Sequence, residues 1–240
     1  SGKTTTLYSM LQHTATNEKN YITVEDPVEY YMDMAGQVMI KEKYGMNFST
    51  VLRAILRQDP DVILLGEIRD QETAEVAFHA AATGHQVFST LHTNSTLDTI
   101  SRLFDLGLKP YTIASAVEAI IAQRLARKIC THCSTEMNPD DELMSQLGPL
   151  FKEDTIRFYE GAGCDHCNNT GFSGRAGIYE VLVPSDLMRH GISENASTLK
   201  LKEIAKQEGF KTLYDDAKEK VHKGFIPATE VIRVLGPCSG

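Results

Sequence analysis

No apolar run in this sequence approaches the length needed to cross a membrane, and no signal peptide is visible. Low-complexity tracts and internal repeats are absent too, which sets aside disordered and solenoid architectures. Positive charge is in short supply. Lysine and arginine number 24 against 32 aspartates and glutamates, a net charge of −8. That argues against a general nucleic-acid binder, which needs a basic face. A local basic cluster, Arg124, Arg127 and Lys128, does not reverse the balance. Cysteine is scarce, with five in 240 residues, but four of the five fall in two Cys-x-x-Cys pairs. In a chain without secretion signals that pattern suggests metal rather than disulfides.

What remains is ordinary globular composition, 42% hydrophobic and 23% charged, enough for one sizeable core and an appendage. The organising stretch is Pro60-Asp61-Val62-Ile63-Leu64-Leu65-Gly66-Glu67-Ile68-Arg69-Asp70. Four apolar residues between a proline and a glycine are too few for a helix and do not alternate. They read as a strand buried on both faces. Strands of that kind carry their chemistry at the carboxyl end, and here that end delivers Gly66, Glu67, Arg69 and Asp70.

Ser1-Gly2-Lys3-Thr4 matches the end of the phosphate-loop pattern G-x-x-x-x-G-K-[ST]. In a complete loop, backbone N–H groups cradle the phosphates, the lysine bridges the outer ones and the threonine hydroxyl binds magnesium. The first glycine and its strand are not in the sequence, so a fragment that folds but hydrolyses nucleotide poorly is expected.

The alternation of strand and helix continues. A helix is expected from Gly2 to about Ala15 and a strand over Tyr21–Val24, ending in Glu25-Asp26-Pro27-Val28-Glu29. That acidic exit is either a polar loop with a capping aspartate or a second acidic loop facing the phosphates. Gly36 to Ile40 reads as a strand. Asn47 or Ser49 caps a helix to about Gln58, which carries Arg53 and Arg57 on one side. These arginines are either solvated or reach phosphate across a subunit boundary. Asp70 caps a helix that Gly84 ends. His85–Asn94 is a strand whose exit carries Thr90, His92, Thr93 and Asn94, suited to phosphate or an attacking water. Helices are expected from Thr96 to Leu106 and from Pro110 to Ala126. The pattern specifies a parallel, helix-covered sheet with one site along its carboxyl edge.

Cys130-Thr131-His132-Cys133 and Cys164-Asp165-His166-Cys167 then supply four thiolates, which suits a tetrahedral structural zinc. His132 and His166 read as spacers, since four thiolates already fill the shell. A helix over about Pro139–Leu147 accounts for the gap, and Gly161, Gly163, Gly171 and Gly174 supply tight turns. Ala176 to Val183 is strand-like. The tail has three apolar-faced segments: Leu199–Ala205, Leu213–Val221 and Val231–Leu235. Cys238 reads as an unpaired tail residue.

Taken together, these segments resemble the secretion ATPases that power type II secretion and type IV pilus assembly, the general secretory pathway protein E family. Ser1–Tyr8 resembles the end of its phosphate loop, and Val24–Tyr30 its aspartate box. Arg57–Asp61 running into Leu65–Asp70 resembles its acidic strand. Gly84-His85 with Ser89–Asn94 resembles its histidine box, and the four cysteines match its metal-binding insertion. Gln86 is one departure, where an apolar residue is usual. The resemblance implies an α/β fold, a RecA-like P-loop NTPase core over 1–128. It further implies a tetracysteine zinc-binding insertion over 129–174, and a return strand with a small C-terminal helical domain over 175–240.

It also implies ATP and Mg2+ held by Ser1, Gly2, Lys3, Thr4 and Thr5. Glu67 would polarise the attacking water, Glu25 would assist and His92 would sense the γ-phosphate, with Arg53 and Arg57 near the nucleotide. Cys130, Cys133, Cys164 and Cys167 would hold Zn2+. A homo-hexamer is implied, cytoplasmic and peripheral to the inner membrane, attached only through platform and adaptor proteins. It would drive a pilin or pseudopilin fibre without nucleic acid. Retraction relatives lack the insertion, so the cysteines favour assembly. Two rival classes are a zinc-stapled docking platform with a vestigial nucleotide site, and a nucleic-acid motor.

Overall fold

The computed structural model describes residues 2–152 and 155–238. The chain divides into two compact units: Lys3–Ile120 with Leu182–Glu208, and Ser1–Gly2, Ile121–Val181 and Gly209–Gly240.

The larger unit is built on a four-stranded parallel sheet. Helix α1 (Lys3–Thr14) is followed by β1 (Tyr21–Glu25), β2 (Ala35–Met39), α2 (Phe48–Ile55) and β3 (Val62–Leu65). Next come α3 (Gln71–Ala82), β4 (Gln86–Ser89), α4 (Thr96–Asp105) and α5 (Pro110–Ala116). The strand order is β2-β1-β3-β4, with Tyr21 opposite Val62 and Leu65 opposite Ser89. All four residues of β3 are buried, as the unbroken apolar run requires. Tyr8 and Leu11 of α1 pack with Tyr21, Met32, Val62 and Leu64 in one core cluster. Of the two caps the sequence offers for α2, Asn47 and Ser49, the structure uses Asn47, and Asp70 caps α3 as expected. Asn47 accepts from the Thr50 N–H and Asp70 from the Thr73 N–H, each satisfying a donor the helix leaves unpaired. Gln86 is exposed at the start of β4, so a polar residue there costs no buried hydrogen bond.

The smaller unit contains β5 (Ile120–Ile129), β6 (Ser134–Met137), α6 (Asp141–Leu147), β7 (Phe158–Gly161) and β8 (Phe172–Leu182). After α7 (Asp186–Ser193) and α8 (Thr198–Gln207), which belong to the larger unit, it is completed by α9 (Leu213–His222) and α10 (Ala228–Leu235). β5 pairs with β8, and β6 with β7 in antiparallel register. The core gathers Ala126, Leu147, Phe151, Ile178, Ala217, Val221 and Val231.

The helix expected from Pro110 to Ala126 is corrected by this arrangement. It stops at Ala116, Val117 is extended, and Ile120–Ile129 is a strand. Ile120 and Ala122 are buried while Ile121 between them is exposed, a period of two that the apolar spacing concealed. Pairing with β8 overrides the local preference, as cross-strand context commonly does. Helix α7 is a further difference: it buries Met188, Gly191 and Ile192, an i, i+3, i+4 set too short to stand out in the sequence.

The two knuckles are held by an unusually close backbone approach. A Cβ on Gly161 would lie 2.0 Å from the Gly171 carbonyl oxygen, so no side chain fits there. The Cys130 N–H donates to the same Gly171 carbonyl at 2.9 Å. Gly171 also has φ +75°, a left-handed conformation that favours glycine.

Candidate functional site

Three strand exits meet at the carboxyl edge of the larger unit's sheet. The Gly66 N–H donates to the Val24 carbonyl at 2.8 Å, and the Ile68 N–H to the Thr90 carbonyl at 3.0 Å. The Thr90 hydroxyl donates to the Gly66 carbonyl at 2.8 Å. A Cβ on Gly66 would stand 3.2 Å from the Val24 carbonyl oxygen, a tight contact that a larger residue would have to relieve by a small backbone shift. These bonds fix Glu67 and His92 relative to each other.

Glu67 accepts from Arg69 through one carboxylate oxygen and faces His92 Nε2 at 2.9 Å through the other. His92 Nδ1 in turn lies 3.5 Å from Lys3 Nζ. An ammonium only donates, so Nδ1 accepts and Nε2–H donates to Glu67; one neutral tautomer satisfies both contacts. The result is a chain Lys3–His92–Glu67–Arg69, and Arg69 also reaches Asp26 at 3.7 Å. The Arg69 guanidinium, outweighing partial burial and helped by His92, holds the Glu67 carboxyl below the usual carboxylate range. Glu67 is therefore ionised and able to orient a water or a magnesium-bound ligand. Its side chain is 16% exposed, enough to reach one.

Glu25 belongs to a second cluster. It is 3% exposed, one oxygen accepting from the Tyr8 hydroxyl and the other from Thr23 Oγ1 at 2.6 Å and Gln37 Nε2 at 3.3 Å. Thr4, one turn before Tyr8 on α1, donates to Glu29 at 3.0 Å. The acidic exit of β1 thus ties down the helix that carries Lys3. Burial, with the adjoining Glu25 carboxylate, pushes the Tyr8 hydroxyl well above the usual phenol range. Tyr8→Phe is expected to cost about 1–3 kcal/mol, the penalty for a buried acceptor losing a charged hydrogen bond. Urea unfolding measures this; a midpoint indistinguishable from wild type would show that Glu25 finds another donor.

Thr5 is exposed on the first turn of α1. Arg53 pairs with Glu72 at 2.6 Å and Arg57 donates to the Arg53 carbonyl at 3.1 Å, so neither joins the Lys3–His92–Glu67 chain. Ser1 lies outside the described residues. Tyr8 is a part of the site that pattern reading does not single out. Arg69 is placed at the β3 exit by its position but without a role, and only its two-residue distance from Glu67 hints at the bond.

In the smaller unit, the sulfurs of Cys130, Cys133, Cys164 and Cys167 lie within 4.8 Å of one another. Three of the separations are 3.9, 3.8 and 3.7 Å. Four sulfurs about 2.3 Å from a tetrahedral zinc stand about 3.8 Å apart. The Cys164 and Gly171 N–H groups donate to Cys167 Sγ at 3.3 and 3.2 Å, as thiolate sulfur requires. All four cysteines are free of disulfides. His132 and His166 stack on each other with ring centroids 3.9 Å apart.

Comparison with known proteins identifies the family. The family model described as "Type II/IV secretion system protein" covers residues 1–233. A type IV pilus assembly ATPase PilB of Pseudomonas aeruginosa is 46% identical over 98% of this chain and 41% of its own length. A type II secretion system protein E of the same organism is 42% identical over 98% of this chain and 46% of its own. The chain thus spans less than half the length of these curated relatives. The solved pilus retraction motor PilT with bound ADP superposes with a TM-score of 0.71 at 30% identity, over 97% of this chain and 57% of that one. The structure of the DotB ATPase of Legionella pneumophila, at 22% identity and a TM-score of 0.67, shares the fold. The chain belongs to the type II/IV secretion system protein family.

Proposed function

We propose that this chain is the ATP-hydrolysing part of a motor that assembles a pilus or pseudopilus fibre. The observation that carries the reading is the Lys3–His92–Glu67 chain at the strand exits, beside a Gly-Lys-Thr that opens a helix. ATP brings the phosphoryl group to be transferred and Mg2+ its charge neutralisation. Lys3 and Thr4, with Ser1, Gly2 and Thr5 alongside, hold these. Glu67 orients the attacking water, and His92 reports on the outer phosphate through Lys3 and Glu67. Glu25 assists from the buried side by anchoring α1. Arg53 and Arg57 approach a nucleotide across a subunit boundary.

The relatives' names support assembly of a pilus or a secretion machine, and the tetracysteine cluster supports the assembly branch. Residues 129–174 serve as the zinc-holding insertion, between the core at 1–128 and the return strand and C-terminal helices at 175–240. The working form is a homo-hexamer in the cytoplasm, bound to the inner membrane through platform and adaptor proteins and without nucleic acid. Among the described residues no helix is long and apolar enough to cross a membrane.

The test is magnesium-dependent ATP turnover by the longer protein that contains this chain. Lys3→Ala should weaken nucleotide binding roughly tenfold or more, the loss of one charged contact to phosphate. DNA should leave turnover unchanged. Absence of hydrolysis, or hydrolysis that depends on DNA, contradicts the reading.

A further inference from the structure

We propose that an arginine-lined cleft in the smaller unit is an anion site that takes a phosphate group. The cleft has a volume of about 480 Å³ and is lined by Leu125, Arg127, Arg175 and Arg233. Arg127 comes from β5, Arg175 from its partner strand β8, and Arg233 from α10.

Two of the three guanidiniums are fixed in place. Glu230, 1% exposed, accepts from Arg127 Nε and Nη2 at 3.0 and 2.8 Å, and from Arg233 Nε and Nη2 at 2.6 Å each. It also accepts from the Arg127 main-chain N–H at 2.6 Å. Burial alone would raise the Glu230 carboxyl; the two guanidiniums and this N–H outweigh it and hold the group at about 2. The Arg127 guanidinium further lies 3.9 Å from the centre of the Phe172 ring. Each of these arginines spends two of its five N–H donors on Glu230 and keeps three. Arg175 is exposed and has no side-chain partner among the described residues.

Three positive charges against one buried carboxylate leave a local excess of two, on a chain whose net charge is −8. Such an excess inside an acidic protein focuses anions rather than repelling them. A phosphate dianion matches both the charge and the planar forks, which suit tetrahedral oxyanions better than a lysine would.

The shared chemistry has two sources. A Cβ on Gly2 would lie 3.3 Å from Leu125 Cδ1, so the residue preceding Lys3 packs on a wall of this cleft. The phosphate is either that of a nucleotide or that of a separate small ligand. The inference itself stands on the arginines and not on the assignment of Lys3.

The experiment is arginine-selective dicarbonyl labelling of the longer protein, read residue by residue by mass spectrometry, with inorganic pyrophosphate or ADP as probe. Arg157, exposed and outside the cleft, is the internal control. At a probe concentration about ten times its Kd, labelling of Arg175 should slow roughly tenfold while Arg157 is unchanged. Protection by pyrophosphate that survives Lys3→Ala assigns a separate phosphate ligand. Protection by ADP but not by pyrophosphate assigns a nucleotide's phosphate. Absent protection, or equal protection at Arg157, overturns the site. Because Arg175 is exposed, Arg175→Lys should fold normally. Keeping the charge but losing the fork, it should weaken probe binding several-fold while leaving the salt dependence of binding unchanged. Unchanged affinity in that variant would also overturn the proposal.

Discussion

Glu67→Gln in the longer protein is expected to slow ATP hydrolysis by about 10²–10⁴-fold, the usual cost of removing a positioned general base. ATP binding should stay close to wild type. The substitution keeps size and a hydrogen-bonding oxygen but removes the charge that Arg69 and His92 both address. Glu67 lies at the exit of the most buried strand, so the backbone that aims it should not move. On the function proposed above, binding rests on Lys3 and Thr4, at the start of α1 rather than the end of β3. Loss of turnover without loss of affinity therefore separates the water-orienting residue from the phosphate-gripping ones. Single-turnover hydrolysis and nucleotide titration on the same preparations read both quantities. Turnover within about twofold of wild type, far short of that loss, would take Glu67 out of the mechanism.

The second large effect concerns the metal. One zinc per chain is expected, and Cys164→Ser should release it and unfold the smaller unit around the knuckles. Structural zinc binding in small domains is worth about 10–16 kcal/mol, comparable to the whole stability of a typical domain. Losing one of four thiolates therefore removes more than the local core can replace. That core, around Leu147, Phe151 and Ala217, is the second support of the unit, so its helices should persist longer than β6 and β7. Elemental analysis and hydrogen exchange follow the two changes. Cys238→Ser is the control. Cys238 sits near Gly148 rather than among the ligands, so it should alter neither zinc content nor stability. Protein prepared without chelator that holds no zinc would sink this expectation.

The sequence was most readable where one local rule acted alone. Val62–Leu65 had no alternation and no length, so only a doubly buried strand fitted. Asn47 and Asp70 announced their helices because short polar side chains at those positions bind backbone N–H groups in one way. The cysteines declared their site through spacing. Legibility failed where partners distant in sequence decide the outcome. Ile120–Ile129 carries apolar residues that suit either period, and β8, some fifty residues away, selects the strand. Likewise, nothing near Glu230 in sequence indicates that Arg127 will meet it, and nothing near Glu25 indicates Tyr8. Glu25 shows the limit of reading chemistry from position. An acidic residue at a strand exit suggests an open acid, yet Tyr8, Thr23 and Gln37 occupy both of its oxygens.

The contact between Gly161 and Gly171 bears on how portable the tetracysteine module is. Neither glycine offers a donor to metal, yet their backbones set how near the two cysteine pairs come. A designer who transplants the four cysteines into another scaffold, with correct spacing, would carry over the ligands without the gauge that sets the gap between them. The transferable unit is six residues, four that bind and two that are small, and a catalogue of zinc motifs written only in cysteines would miss a third of it.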